Sequence, residues 1–138
     1  MGEHDQKSGK FVVKVSGDKQ KFATGAQRDR QEGKGRYDLV SIFALREIAH
    51  VYEAGSLAYG ERNWEKGMNL SRFLDSALRH TFQVIEGKRD ENHAAQAAWN
   101  LMAFIHTREM ISRGILPKSL DDLPDYMPKS VDEDEGCG

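Results

Sequence analysis

His80, Asp90, Glu91 and His93 fall within fourteen positions of one another, and Asn100 follows two helical turns after His93. Imidazole and carboxylate groups at that density suit a divalent metal. No nucleophile motif, phosphate-binding glycine loop or cysteine pair competes with them, so chemistry must come from helices that carry polar ligands inward. Glu47 flanks the apolar Ile48 and Ala49, where a carboxylate could reach a site shared between helices. Glu53, about 240° further around the same helix, is the poorer partner. Carboxylate and amide oxygens favour Mg²⁺, whereas histidine nitrogen points to Mn²⁺, Fe, Co or Zn, so the residues leave the metal open. A buried hydrogen bond within the core would account for His93 equally well.

A second set of residues suits a nucleotide. Arg62, Asn63, Trp64 and Lys66 gather cations, an amide and a stacking ring in one loop. Trp64 can alternatively serve as a packing anchor between helices. Arg72 and Arg79, seven apart, share a helix face and reach either phosphate or water. Residues 21–37 combine Gly25, Gly33 and Gly35 with Arg28, Arg30, Lys34 and Arg36. Backbone amides freed by glycine, with these cations, can cradle a polyphosphate. The same composition also fits a solvated loop that Asp29 and Glu32 neutralise in part.

The elements that position these groups are helical. Leu45, Ile48, Ala49 and Tyr52 recur at i, i+3, i+4 and i+7, which predicts a core-facing helix from Asp38 to about Tyr59, capped by Asp38 or Ser41. A second helix, capped by Asn69 or Ser71, runs to about Glu86 and is expected to bury Leu74, Ala77, Leu78, Thr81 and Ile85 before Gly87 ends it. Asp90 is expected to cap the last helix, 93–113, with Ala97, Leu101, Phe104 and Ile105 facing inward. Its stop is written in Arg113, Gly114, Ile115 and Pro117. His93, Ala97, Asn100 and Phe104 share one face, with His93 and Asn100 roughly 10 Å apart along it. Upstream, residues 1–10 read as a disordered leader, and Phe11–Val15 as a short strand that pairs with a copy of itself or lies on the surface.

Composition narrows the class. The chain has 138 residues, 38% of them hydrophobic, which fits one modest domain. A net charge of −2 argues against direct nucleic-acid binding. Cys137 is the sole cysteine and lies in a polar, acidic end, so neither a disulfide nor a thiolate zinc site is expected and a reducing cytoplasm fits. No apolar run reaches the roughly 18 residues that span a bilayer, so no membrane partner is expected.

The runs Thr24-Gly25-Ala26-Gln27-Arg28-Asp29, Gly33-Lys34-Gly35-Arg36-Tyr37-Asp38-Leu39, Tyr59-Gly60-Glu61-Arg62-Asn63-Trp64-Glu65-Lys66-Gly67, Ser71-Arg72, Arg79-His80 and His93 through Ala98-Trp99-Asn100 resemble the phage dATP/dGTP diphosphohydrolase family. That family is associated with MazG-like nucleotide pyrophosphohydrolases, including the MazZ proteins of phages that replace adenine by 2-aminoadenine. The resemblance implies an all-α, MazG-like helical bundle that assembles as a homo-oligomer, dimer or tetramer. It implies cleavage of a purine nucleoside triphosphate, dGTP or dATP, between its α and β phosphates, with Mg²⁺ or Mn²⁺ as cofactor. The reaction could supply dGMP for 2-aminoadenine DNA. The domain would occupy 21–124, between a leader (1–20) and an acidic tail (125–138). MazG-type enzymes place ExxE on one helix and ExxD on a later one; here Glu47 is followed by His50, and the later positions read Ala97 and Asn100. The candidates carried over are Glu47, His80, Asp90 and His93 for catalysis, with Glu47, Asp90, Glu91 and His93 as metal ligands. Lys34, Arg36, Arg62 and Lys66 would neutralise pyrophosphate, with Asn63, Arg72, Arg79 and Asn100 as further substrate contacts, and Tyr59 or Trp64 would pack on the base. The alternative is a helical module that senses nucleotides or docks on a protein and catalyses nothing.

Overall fold

The computed structural model describes residues 4–8, 11–15 and 17–129; Cys137 and the acidic run 132–135 lie outside them. Its contacts gather into two units, Met1–Val40 and Ser41–Gly138.

The first unit holds two antiparallel pairs. Strand β1 (His4–Ser8) pairs with β2 (Phe11–Val15), and β3 (Lys19–Lys21) with β4 (Gln27–Asp29). The partner of Phe11–Val15 is therefore the segment expected to be disordered, in the register His4 opposite Val15. The expectation failed because a polar strand without alternation carries little signal, although pairing satisfies its backbone as well as any other. After β4, Lys34 lies 3.4 Å from Asp29, and Arg36 makes two 2.8 Å hydrogen bonds to Asp38. That hydrogen bond holds the Asp38 carboxyl below its ordinary range. The cations proposed for phosphate thus have local counter-charges. A 3₁₀ turn, Tyr37–Leu39, and extended Val40 occupy the start expected of the first helix.

The second unit is built from α1 (Ile42–Tyr59), α2 (Leu70–Ile85) and α3 (His93–Ser112), with short 3₁₀ turns at Asn63–Lys66 and Lys118–Leu120. Ser41 caps α1, its hydroxyl accepting from the Ala44 amide at 3.1 Å. At α3 the cap is Asn92, whose Oδ1 accepts from the Ala95 amide at 3.1 Å. Asp90 does not cap, because its carboxylate is taken by His93. Gly114, at φ 73°, and a hydrogen bond from the Ile115 amide to the Met110 carbonyl close α3, as the sequence signals require.

Helix α3 is central, packing along α2 and more lightly against α1. The shared core comprises Leu70, Phe73 and Ala77 of α2 with Ala95, Ala97 and Ala103 of α3, joined by buried His93, Asn100 and Thr107. Small residues on α3 let the backbones approach, and Phe73 fills the space. Several residues expected inside are exposed instead: Leu45, Ala49, Leu78, Thr81, Ile85, Leu101 and Ile105. Apolar residues spread around these helices exceed what three helices can bury against one another, and periodicity alone does not tell which face meets a neighbour. None of the residues of α1 is fully buried. Among the described residues, no helix is long and apolar enough to cross a membrane.

Candidate active site

A cleft of about 1340 Å³ opens among α1, the Asn63–Lys66 turn and the facing parts of α2 and α3. All of its walls belong to the second unit. On α1, Glu47 and His50 stand one helical turn apart and both line it. Glu47 Oε1 accepts a 3.1 Å hydrogen bond from Asn92 Nδ2, which ties α1 to the start of α3. From α3 comes Asn100, 7% exposed, which lines the cleft and whose Nδ2 donates to the Gln96 carbonyl at 2.8 Å.

Helix α2 contributes His80, half-buried on the wall. Its Nδ1 lies 2.9 Å from His93 Nδ1, with the rings stacked, and His93 Nε2 lies 2.8 Å from Asp90 Oδ1. The proton positions follow from this chain of contacts. The Asp90 carboxyl, held below its ordinary range by the hydrogen bond from His93, is an acceptor, so His93 carries its proton on Nε2. In the neutral pair His93 Nδ1 is then an acceptor and His80 Nδ1 donates to it, which puts the His80 lone pair on Nε2; the Gln83 side chain is a further polar neighbour of that ring. Burial, then the neighbouring His93, lowers the His80 pKa, which keeps that ring neutral near pH 7.

The groups expected around one cation are thus divided. Ligand atoms of Asp90, Glu91 and His93 lie within 4.8 Å of one another. Glu91 and His93 line a second, smaller recess, while Glu47 and His80 line the large cleft. The His80 to His93 contact bridges the two. With a side chain 1% exposed and both ring nitrogens engaged, His93 is better placed to hold a proton than a metal.

The phosphate candidates fare unevenly. Arg62, Arg72 and Arg79 line the cleft, as do Asn63 and Tyr59; Lys66 does not. Arg79 lies 3.2 Å and Arg72 3.8 Å from the same carboxylate, Asp75. Two guanidinium groups sharing one anion leave positive charge for a phosphate. Arg62 pairs with Glu65 at 2.6 Å and adopts a left-handed backbone, φ 59°. Trp64 is a packing anchor: it meets Tyr52, Trp99 and His106 edge-on at centroid distances of 5.8, 6.2 and 4.8 Å. Tyr59, 76% exposed, is the ring left free to stack on a base. Sequence reasoning passed over His50, Asn92 and Gln96 as site residues; the i, i+3 spacing of Glu47 and His50 was the available signal.

Comparison with known proteins adds one match. The family model described as dATP/dGTP diphosphohydrolase, N-terminal, matches residues 24–114, which span Glu47, the cleft loop, His80 and the Asp90 to Asn100 stretch. No curated protein and no solved structure matches the chain.

Proposed function

We propose, for a chain that belongs to the dATP/dGTP diphosphohydrolase family through its N-terminal domain, that the cleft hydrolyses a purine deoxynucleoside triphosphate to the monophosphate and pyrophosphate. The observation that carries this reading is which groups meet in the cleft: the arginines Arg62, Arg72 and Arg79 line it together with Glu47, His50, His80 and Asn100. One set suits a triphosphate, the other a reacting centre.

In this reading Arg72 and Arg79 hold the β and γ phosphates and neutralise the charge that builds as pyrophosphate leaves. Tyr59 stacks on the base and Asn63 offers an amide to it. His80 Nε2 accepts the proton of the water that attacks the α phosphorus. The new P–O bond forms as the α–β anhydride breaks, and the Nδ1 proton of His80 shifts toward His93, where Asp90 stabilises the resulting imidazolium. Glu47, His50 and Asn100, which line the cleft, would hold a divalent ion, and their mixed nitrogen and oxygen set fits Mn²⁺ at least as well as Mg²⁺. Bound there, such an ion would supply Lewis-acid polarisation of the phosphoryl oxygens. In a phage with 2-aminoadenine DNA, the dGMP released would feed synthesis of the modified base. The exposed apolar residues Leu78, Phe82, Ile85, Leu101 and Ile105 support a homo-oligomer.

Incubation with dGTP or dATP and Mg²⁺ or Mn²⁺ should release pyrophosphate and the monophosphate in equal amounts. Nucleotide binding without pyrophosphate would instead favour a sensing module, a reading that draws on the absence of a carboxylate at Ala97, which is buried in the core.

A further inference from the structure

The chain beyond α3 folds back along the cleft loop, at positions past the family match. Leu116 and Leu120 pack on Gly67, where a Cβ would lie 2.9 Å from Leu120 Cδ1 and 3.2 Å from Leu116 Cδ2. Gly67 is at φ 106°, so glycine there serves both the turn and the close approach. Two residues beyond Leu120, the Asp122 carboxylate accepts the Ser71 amide at 3.0 Å and the Ser71 hydroxyl at a shorter distance. Asn69, at the N-cap position of α2, makes no side-chain cap. The cap of α2 is therefore supplied by a residue 51 positions away. Trp64 pins the same loop from the inner side, against Tyr52, Trp99 and His106.

We infer that residues 115–123 form a strap that sets the position of the loop 60–69 and of the first turn of α2, and through them the grip of Arg62, Asn63 and Arg72 on the nucleotide. Asp122 and Leu120 are its positioning residues. They touch neither the cleft nor the reacting groups, so loosening them should alter substrate binding and spare the chemical step. The inference rests on the hydrolase reading only for what the loop grips.

Two readouts separate the claims. In a Trp99→Phe background Trp64 is the sole tryptophan, and Asp122→Ala or Leu120→Ala should roughly double its quenching by acrylamide while helical circular dichroism is kept. In the otherwise unaltered chain, Asp122→Ala should raise KM for dGTP about five-fold with kcat within about two-fold, and Asp122→Asn, which keeps one acceptor, should recover much of that loss. Quenching and KM both at parental values in the Ala variants overturn the strap, as does a fall in kcat that tracks lost helicity. A chain that releases no pyrophosphate from any deoxynucleotide overturns the hydrolase reading instead, and Trp64 quenching then decides the strap alone.

Discussion

The base proposed for the reaction, kept neutral by partial burial, should leave a mark on the pH profile. His80 is held below the ordinary imidazole value of 6.5, so its lone pair is present at neutrality. kcat should stay level as pH falls toward 6.5 and decline only below it, as the proton occupies Nε2. His80→Ala should lower kcat by about 10²-fold or more, the usual worth of a positioned base. Asp90→Asn should shift the acid limb as well as lower the rate, because the carboxylate fixes the proton on His93. Glu47→Ala should remove turnover and leave helical circular dichroism intact, since Glu47 is exposed and, among the described residues, is bonded only to Asn92. Parental kcat in all three variants would dismiss the assignment. At this scale the sequence was partly legible. The proximity of His80, Asp90 and His93 could be read from spacing, but their hydrogen-bond order could not, because it depends on which faces of α2 and α3 meet. The pairing of Glu47 with Asn92 spans 45 positions and leaves no local pattern.

Helices were easier to read than their neighbours. Three were expected and three α-helices form among the described residues; Ser41, Gly87 and Gly114 act at the ends where the sequence places them. The inward face was harder, because apolar residues surround α3 and tertiary contact chose the side with Ala97, Ala103 and Thr107. Phe73 is the bulkiest of the fully buried side chains, and Phe73→Ala should cost about 3–5 kcal/mol, a large share of the roughly 5–15 kcal/mol that holds a domain. Chemical denaturation would read this directly. Thr107 offers the opposite case. It is 0% exposed and its Oγ1 has no hydrogen-bond partner among the described residues, so Thr107→Val should melt a few degrees higher by removing an unmet hydroxyl of similar shape. A lower melting temperature would mean that the hydroxyl is satisfied after all.

Across the whole molecule, much apolar surface faces outward. Leu78, Phe82 and Ile85 of α2 fall at i, i+4 and i+7 and are 59, 60 and 76% exposed, a stripe of the kind that helix pairs normally bury. If copies of the chain associate through it, Phe82→Asp should reduce the sedimentation coefficient to that of a monomer with helicity kept, and an unchanged coefficient would remove this face from consideration. Acid should act elsewhere. The Asp122 carboxyl is lowered from 3.8 by its hydrogen bonds from the Ser71 hydroxyl and amide. Its contribution is therefore complete above pH 3.8 and is lost as pH falls from there through the lower folded-state value. The part of thermal stability that Asp122→Ala removes at pH 7 should vanish in that acid range.

Arg62 holds a left-handed backbone that arginine adopts at a cost of about 1–2 kcal/mol, and the residue lines the cleft. Asparagine tolerates that conformation better, and the exposed ion pair with Glu65 contributes little. Arg62→Asn should consequently survive heating at least as well as the parent while holding dGTP more weakly. At this one position durability and ligand retention pull in opposite directions, so selecting variants for heat resistance alone would erode the proposed hold on the nucleotide.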